Sequence, residues 1–238
     1  MGGTFDPVHY GHLAAAEEAR RRFGLEGVIF VANGQPPHKK EYLVSPAEAR
    51  YEMVVLATAA NPGFEASRVE VDRAGPSYSA DTMEWFRRQL GAAVRLYFIT
   101  GADAMLDMMN WHEPQRLAKA CEFIAVVRPG YELGPLHQTL GPEVLARTHL
   151  LEAPGVEVSS TELRRRAAAG ESLRYLTPPA VISYIEGRRL YAREQPSAVG
   201  GSDPGGGRMG FGAEARRRRT SIRSNGKGTT GFSLWRAG

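Results

Sequence analysis

An α/β fold, a doubly wound parallel sheet with helices on both faces, is predicted by three features of the sequence. Short apolar runs such as VIFVA and EFIAVV alternate with longer helix-like stretches. The runs are continuously apolar, as strands covered on both faces are, whereas a half-solvated sheet alternates apolar with polar. Glycine, proline and asparagine punctuate the boundaries between them.

Residues 12–23 carry a helical pattern that stops at Gly24, a residue suited to a left-handed C-terminal turn. Residues 28–32 (VIFVA) follow as a short buried strand. Ser45-Pro46-Ala47-Glu48 opens a second helix, with serine at the cap, proline in the first turn and glutamate placed to reach back. It runs through residue 60 and stops at Asn61-Pro62-Gly63. A strand is expected over 68–71 and a helix over 80–90. Two more strands are expected over 94–100 (VRLYFIT) and 122–127 (EFIAVV), with helical segments between them. One feature departs from this plan: residues 1–7 look like the loop after a first strand, yet no strand precedes them. The expectation is that the first strand is truncated at the N-terminus and that the chain proper starts several residues upstream.

The formal charge of +4 invites a nucleic-acid partner, but its distribution argues otherwise. Residues 195–238 hold seven arginines and one lysine against Asp203 and Glu214, which leaves residues 1–194 with 22 basic and 24 acidic side chains. The basicity belongs to the tail. That tail also contains 11 of the 27 glycines and no apolar periodicity, so it cannot bury enough surface to offset its ordering entropy and is expected to be disordered. The predicted organisation is a globular domain over 1–194 and a Gly/Arg-rich tail over 195–238. No apolar window reaches the ~18 residues of a membrane span, and no secretory signal opens the chain. Cys121 is the single cysteine, which excludes an intrachain disulfide and fits a reducing, cytoplasmic location.

The most informative stretch is Gly2-Gly3-Thr4-Phe5-Asp6-Pro7-Val8-His9-Tyr10-Gly11-His12. Two glycines allow a backbone turn to approach a nucleotide where a Cβ would intrude. His9 and His12, three apart at the entry to a helix, present their rings to one volume. The unpaired N–H groups and positive end of that helix reach the same volume, which suits phosphate. Two neighbouring histidines also occur as surface residues or metal ligands. A zinc site would need further ligands, and none are grouped here.

Five later stretches follow strands or open helices, and in open α/β sheets ligands bind beyond the carboxyl ends of the strands. Asn33-Gly34-Gln35-Pro36-Pro37-His38-Lys39 follows VIFVA as a stiff loop with basic groups. Gly75-Pro76-Ser77-Tyr78-Ser79 leads into a helix, where Ser79 or Asp81 also serves as an ordinary cap. Gly101-Ala102-Asp103 ends the strand VRLYFIT, with Trp111 eight residues on. Arg128-Pro129-Gly130 ends EFIAVV, and Val158-Ser159-Ser160-Thr161-Glu162-Leu163-Arg164 starts a late helix, which without context is a capped helix with a surface arginine.

The opening stretch resembles the signature of the His-x-Gly-His nucleotidyltransferase superfamily, and the later motifs resemble the bacterial nicotinate mononucleotide adenylyltransferases. Resemblance covers residues 1–192 and fails in the tail; within it, residues 173–191 look like the family's closing helix, which carries packing and not chemistry. It implies a Rossmann-like fold and transfer of AMP from ATP to nicotinate mononucleotide, giving nicotinate adenine dinucleotide and pyrophosphate in NAD biosynthesis. It also implies roles: His9, His12, Thr4 and Arg164 in catalysis, and Gly2, Gly3, Thr4, Phe5, Gly101, Asp103, Arg128, Ser160 and Thr161 alongside them in holding ATP. For the acceptor it implies Asn33, His38, Lys39, Tyr78, Ser79, Asp103 and Trp111, the last stacking on the pyridine ring. Mg²⁺ would arrive on ATP with few protein ligands. ATP and nicotinate mononucleotide are the expected partners, without membrane or nucleic acid for the globular part, and homo-oligomerisation is left open. Alternatives are the nicotinamide nucleotide or another small phosphate as acceptor, a non-catalytic nucleotide-binding protein, and an RNA-binding arm in the tail.

Overall fold

A computed structural model describes residues 1–35, 44–127, 134–153 and 158–192. All of them belong to one compact unit, Met1–Gln195. The tail expected over 195–238 lies outside the described residues.

Among the described residues, six strands lie in two three-stranded parallel sheets, ordered β1-β2-β3 and β4-β5-β6. The strands are β1 (Gly2–Gly3), β2 (Val28–Ala32), β3 (Phe64–Ser67), β4 (Tyr97–Gly101), β5 (Glu122–Val127) and β6 (Thr148–Glu152). β1 lies beside β4, so the sheets read 3-2-1-4-5-6 across the molecule, the order of a doubly wound dinucleotide fold. Register is Gly2 against Val31, Val28 against Phe64, Tyr97 against Glu122 and Phe123 against Thr148.

Neighbouring residues of β4 and β5 face opposite sides of the sheet, as strand geometry requires. Ile99 and Ile124 join a core with Phe5, Val8, Phe30, Met53, Leu163 and Val181. Phe98 and Phe123 join a second core with Met83, Met105, Met108 and Leu117. Helices therefore cover both faces. These are α1 (Tyr10–Arg22), α2 (Ala47–Thr58), α3 (Ser79–Leu90), α4 (Ala102–Leu106), α5 (Pro114–Ala120), α6 (Gly134–Thr139), α7 (Pro142–Leu145), α8 (Ser160–Ala168) and α9 (Pro179–Arg188). α1 buries only alanines, Ala15, Ala16 and Ala19, and small side chains let its backbone approach the sheet closely. It ends where expected, with Gly24 at φ +59°. No helix among the described residues is long and apolar enough to cross a membrane.

Three expectations change. Gly2 and Gly3 are themselves a short strand, continued by the Asn33 N–H donating to the Gly3 carbonyl at 3.0 Å, so the loop begins at Thr4. The third strand is Phe64–Ser67, not 68–71, because the turn at Asn61-Pro62-Gly63 delivers the chain straight into pairing: the Val28 N–H donates to Gly63 O at 2.8 Å. β6 was not expected at all. It is a mostly half-buried edge strand, without the continuous apolar run by which the inner strands are recognised.

Candidate functional site

The loop from Thr4 to His9 is held in an unusual conformation by burial. Phe5 sits at φ +50°, a left-handed region costing about 1–2 kcal/mol for a non-glycine residue. Its ring is 2% exposed, packed edge-on to His12 and against Phe30. That anchorage holds the strained turn. A Cβ on Gly3 would stand 2.9 Å from the Phe5 ring, so the glycine makes room for a core aromatic. Any contact of Phe5 with a nucleotide falls to its backbone.

His9 precedes α1 in extended conformation, and its ring stacks on that of His12 with centroids 3.7 Å apart. The His9 N–H donates to His12 Nδ1 at 3.3 Å. A nitrogen that accepts cannot carry the proton, so the neutral His12 ring is protonated on Nε2. Burial lowers the pKa of His9 to about 4. Burial first, and the neighbouring His9 second, hold His12 well below the ordinary histidine value. Both rings are neutral at pH 7. Nδ1 of His9 is buried and has no hydrogen-bond partner among the described residues.

Three elements distant in sequence converge on this loop. From α8, Arg164 Nη1 donates to the Asp6 carbonyl at 2.8 Å and Ser160 Oγ to the Pro7 carbonyl at 2.9 Å. Arg164 also donates to Thr161 Oγ1 at 3.2 Å. Ahead of α9, Thr177 Oγ1 donates to Val8 O at 2.8 Å, and the Tyr10 N–H donates to Leu176 O at 3.1 Å. After α9, the Tyr191 hydroxyl donates to Asp6 Oδ1 at 2.6 Å, while Asp6 Oδ2 accepts from the Ser45 N–H at 3.2 Å. The closing segment, expected only to pack, thus braces the Thr4–His9 loop.

The second candidate loop follows β2. Asn33 is half-buried, and Ser77 Oγ accepts from the N–H groups of Gly34 and Gln35 at 3.2 and 3.3 Å. A Cβ on Gly34 would fall 2.0 Å from Glu70 O. This region is therefore latched to the segment leading into α3. Beneath the latch, burial pushes the Glu70 carboxyl above its usual range, partly offset by its bond from Thr82 Oγ1 at 2.7 Å and by Arg73. His38 and Lys39 lie outside the described residues, as does Arg128.

Tyr78 caps α3 through its backbone, with no side chain bonded to the helix start. Its ring stacks on His112 at 4.1 Å, beside Trp111, which stands edge-on to Phe98 at 6.1 Å. Ser79 is half-buried at the first turn. Gly101 and Asp103 are exposed at the junction of β4 and α4. The structure thus gathers Thr4, His9, His12, Ser160, Thr161 and Arg164 around one loop, and ties Asn33 to it through Gly3. Tyr78 and Ser79 stand together at the start of α3, where the Tyr78 ring stacks on His112, the residue that follows Trp111 in the chain.

Sequence reasoning missed Asp6, Arg50, Ser77, His112 and Tyr191. Only Arg50 left a signal: it lies on the buried stripe of α2 with Met53 and Val54, at helical spacings of three and four. No group of three or more histidine, cysteine or acidic side chains among the described residues could hold a metal ion.

Known proteins agree with this geometry. The sequence pattern of the cytidylyltransferase-like family matches residues 1–166. The nicotinate-nucleotide adenylyltransferase of Moorella thermoacetica is 52% identical over 194 residues, covering 80% of this chain and 89% of that protein. Its counterpart from Saccharopolyspora erythraea is 50% identical, covering 83% and 91%. Among solved structures, Plasmodium falciparum nicotinic acid mononucleotide adenylyltransferase complexed with NaAD superposes with a TM-score of 0.63 at 18% identity, covering 80% of this chain and 94% of that one. At that identity it speaks for the fold. A doubly wound sheet, a histidine pair at the first helix and relatives at half identity over most of their length place this chain in the nicotinate-nucleotide adenylyltransferase family of nucleotidyltransferases.

Proposed function

We propose that the chain transfers AMP from ATP to nicotinate mononucleotide, releasing pyrophosphate. A 5′-phosphate oxygen of the acceptor forms a bond to the α-phosphorus as the bond from that phosphorus to the bridging oxygen of the β-phosphate breaks. The acceptor phosphate is largely dianionic at pH 7, its second pKa being about 6, so no protein base is required. Catalysis then rests on alignment and on stabilising charge.

The observation that carries this reading is the stacked pair His9 and His12 at the start of α1. As neutral rings each has one N–H to donate to phosphate oxygens, that of His12 being on Nε2. The α1 N–H groups and Thr4 contribute to the same cradle, and Arg164, already directed at the loop, stabilises the departing pyrophosphate. Ser160, Thr161, Gly101 and Asp103 complete the ATP side. On the acceptor side, Asn33, His38 and Lys39 take the phosphate and ribose, while Trp111 and Tyr78 flank the pyridine ring. The start of α3, where no side chain caps the backbone donors, favours the acid over the amide because it suits a carboxylate.

Mg²⁺ fits this site only as a passenger on the triphosphate: both oxygens of Asp6 are engaged, and no acidic cluster lies among the described residues. When bound, it would screen charge on the phosphates. The test is pyrophosphate release from ATP with nicotinate mononucleotide, nicotinamide mononucleotide or phosphopantetheine. Turnover is expected to be fastest with the nicotinate compound; release with phosphopantetheine alone overturns the assignment.

A further inference from the structure

In parallel α/β sheets the ligand crevice opens where neighbouring strands part beyond their carboxyl ends. Here β1 and β2 stay paired through Gly3 and Ala32, and the Asn33 N–H adds one more bond to Gly3 O at 3.0 Å. Past that point the next two carbonyls, of Thr4 and Gly34, are bridged by a side chain. Arg50, reaching in from α2, donates from Nη1 to Thr4 O at 2.9 Å and from Nη2 to Gly34 O at 3.0 Å. Its Nε donates to Ser45 O at 2.8 Å. The residue is 1% exposed and is among the largest fully buried side chains of the protein.

A buried guanidinium is costly, and arginine is seldom fully buried without a specific set of partners. The chemistry of this one is telling. Thr4 begins the loop of His9 and His12, and Gly34 begins the loop proposed to hold the acceptor. One rigid planar fork is bonded to both. Its geometry fixes how far the Thr4 and Gly34 carbonyls stand apart.

We propose that Arg50 is a positioning residue for adenylyl transfer, holding the donor-binding and acceptor-binding loops at reacting distance. The inference rests on the functional reading above. Each loop keeps its own anchors without Arg50: Phe5, Thr177 and Arg164 for the first, Ser77 for the second. Each substrate alone should therefore still bind. What suffers is their mutual alignment, where a displacement of about 1 Å costs roughly 10²-fold in rate. Lysine keeps the charge but loses the fork, having one nitrogen to serve three carbonyls.

The experiment compares wild type, R50K and R50Q. For each, thermal melting, the Kd of ATP alone, the Kd of nicotinate mononucleotide alone and kcat for pyrophosphate release are measured. R50K is expected to melt cooperatively, to bind each substrate within about threefold of wild type and to lose about 10²-fold in kcat; R50Q should lose at least as much. Wild-type kcat in R50K overturns the proposal, as does a loss of affinity for one substrate as large as the loss of kcat. Absence of cooperative melting in both variants assigns Arg50 to stability alone and also overturns it. A wild-type chain without turnover overturns the functional reading and this inference together, whereas an active wild type with an unaffected R50K overturns only the inference.

Discussion

Tyr191 and Asp6, 185 residues apart in sequence, meet in a 2.6 Å hydrogen bond that ties the end of the closing segment to the Thr4–His9 loop. Asp6 is 1% exposed, and its other oxygen is taken by the Ser45 N–H. Burial and the adjacent Asp6 carboxylate push the Tyr191 phenol above its usual pKa, which favours the protonated form that donates this bond.

Tyr191→Phe removes that donor and leaves a buried carboxylate oxygen unsatisfied. Such a loss costs about 1–3 kcal/mol. Urea unfolding should show a lowered midpoint with unchanged slope. An unchanged midpoint would mean that the bond contributes nothing to folding.

Acid should destabilise the ligand-free protein through His9. Its folded pKa is lowered to about 4 from 6.5, so between those values the unfolded chain takes up a proton that the folded chain refuses. Stability is complete above pH 6.5 and declines as pH falls towards 4. Between pH 7.5 and pH 5 the loss from this one group is about 2 kcal/mol. His9→Gln should flatten that part of the profile, and an equally steep profile in the variant would assign the loss to other groups.

His12→Ala removes the donor proposed to meet phosphate, and of the apolar cores it disturbs only the edge-on contact with Phe5. Loss of one donor to developing charge is worth roughly 10²–10³ in kcat. The variant should melt near wild type while pyrophosphate release falls by that factor. Full turnover would exclude the histidine pair from the reaction.

Gly34→Ala places a methyl group 2.0 Å from a backbone oxygen of Glu70, an overlap relieved only by parting the loop from the segment that latches it. Overpacking of this kind costs about 1–3 kcal/mol, and the Michaelis constant for the acceptor should rise more than that for ATP. Gly187→Ala, in α9 with open space around the new methyl, is the control. It should be neutral or stabilise by roughly 0.5–1 kcal/mol. Equal behaviour of the two variants would show that the close approach at Gly34 is not a constraint.

The parts of this protein legible in its sequence are those written in short stretches. A buried strand such as VIFVA, a helix closed by Gly24, and glycines followed by two histidines at helical spacing each depend on neighbours within one or two turns, so a local pattern suffices to recognise them. From these came the α/β class, the phosphate loop and the family resemblance. Tertiary structure alone decided which distant groups complete each other. The β3 register depends on where a turn delivers the chain beside β2. β6 exists because β5 offers an open edge. The partnerships of Asp6 with Tyr191, and of Arg50 with Thr4 and Gly34, bring together side chain and carbonyl from elements far apart in sequence. No local pattern encodes such pairs, because the burial that makes them matter arises only when the elements pack.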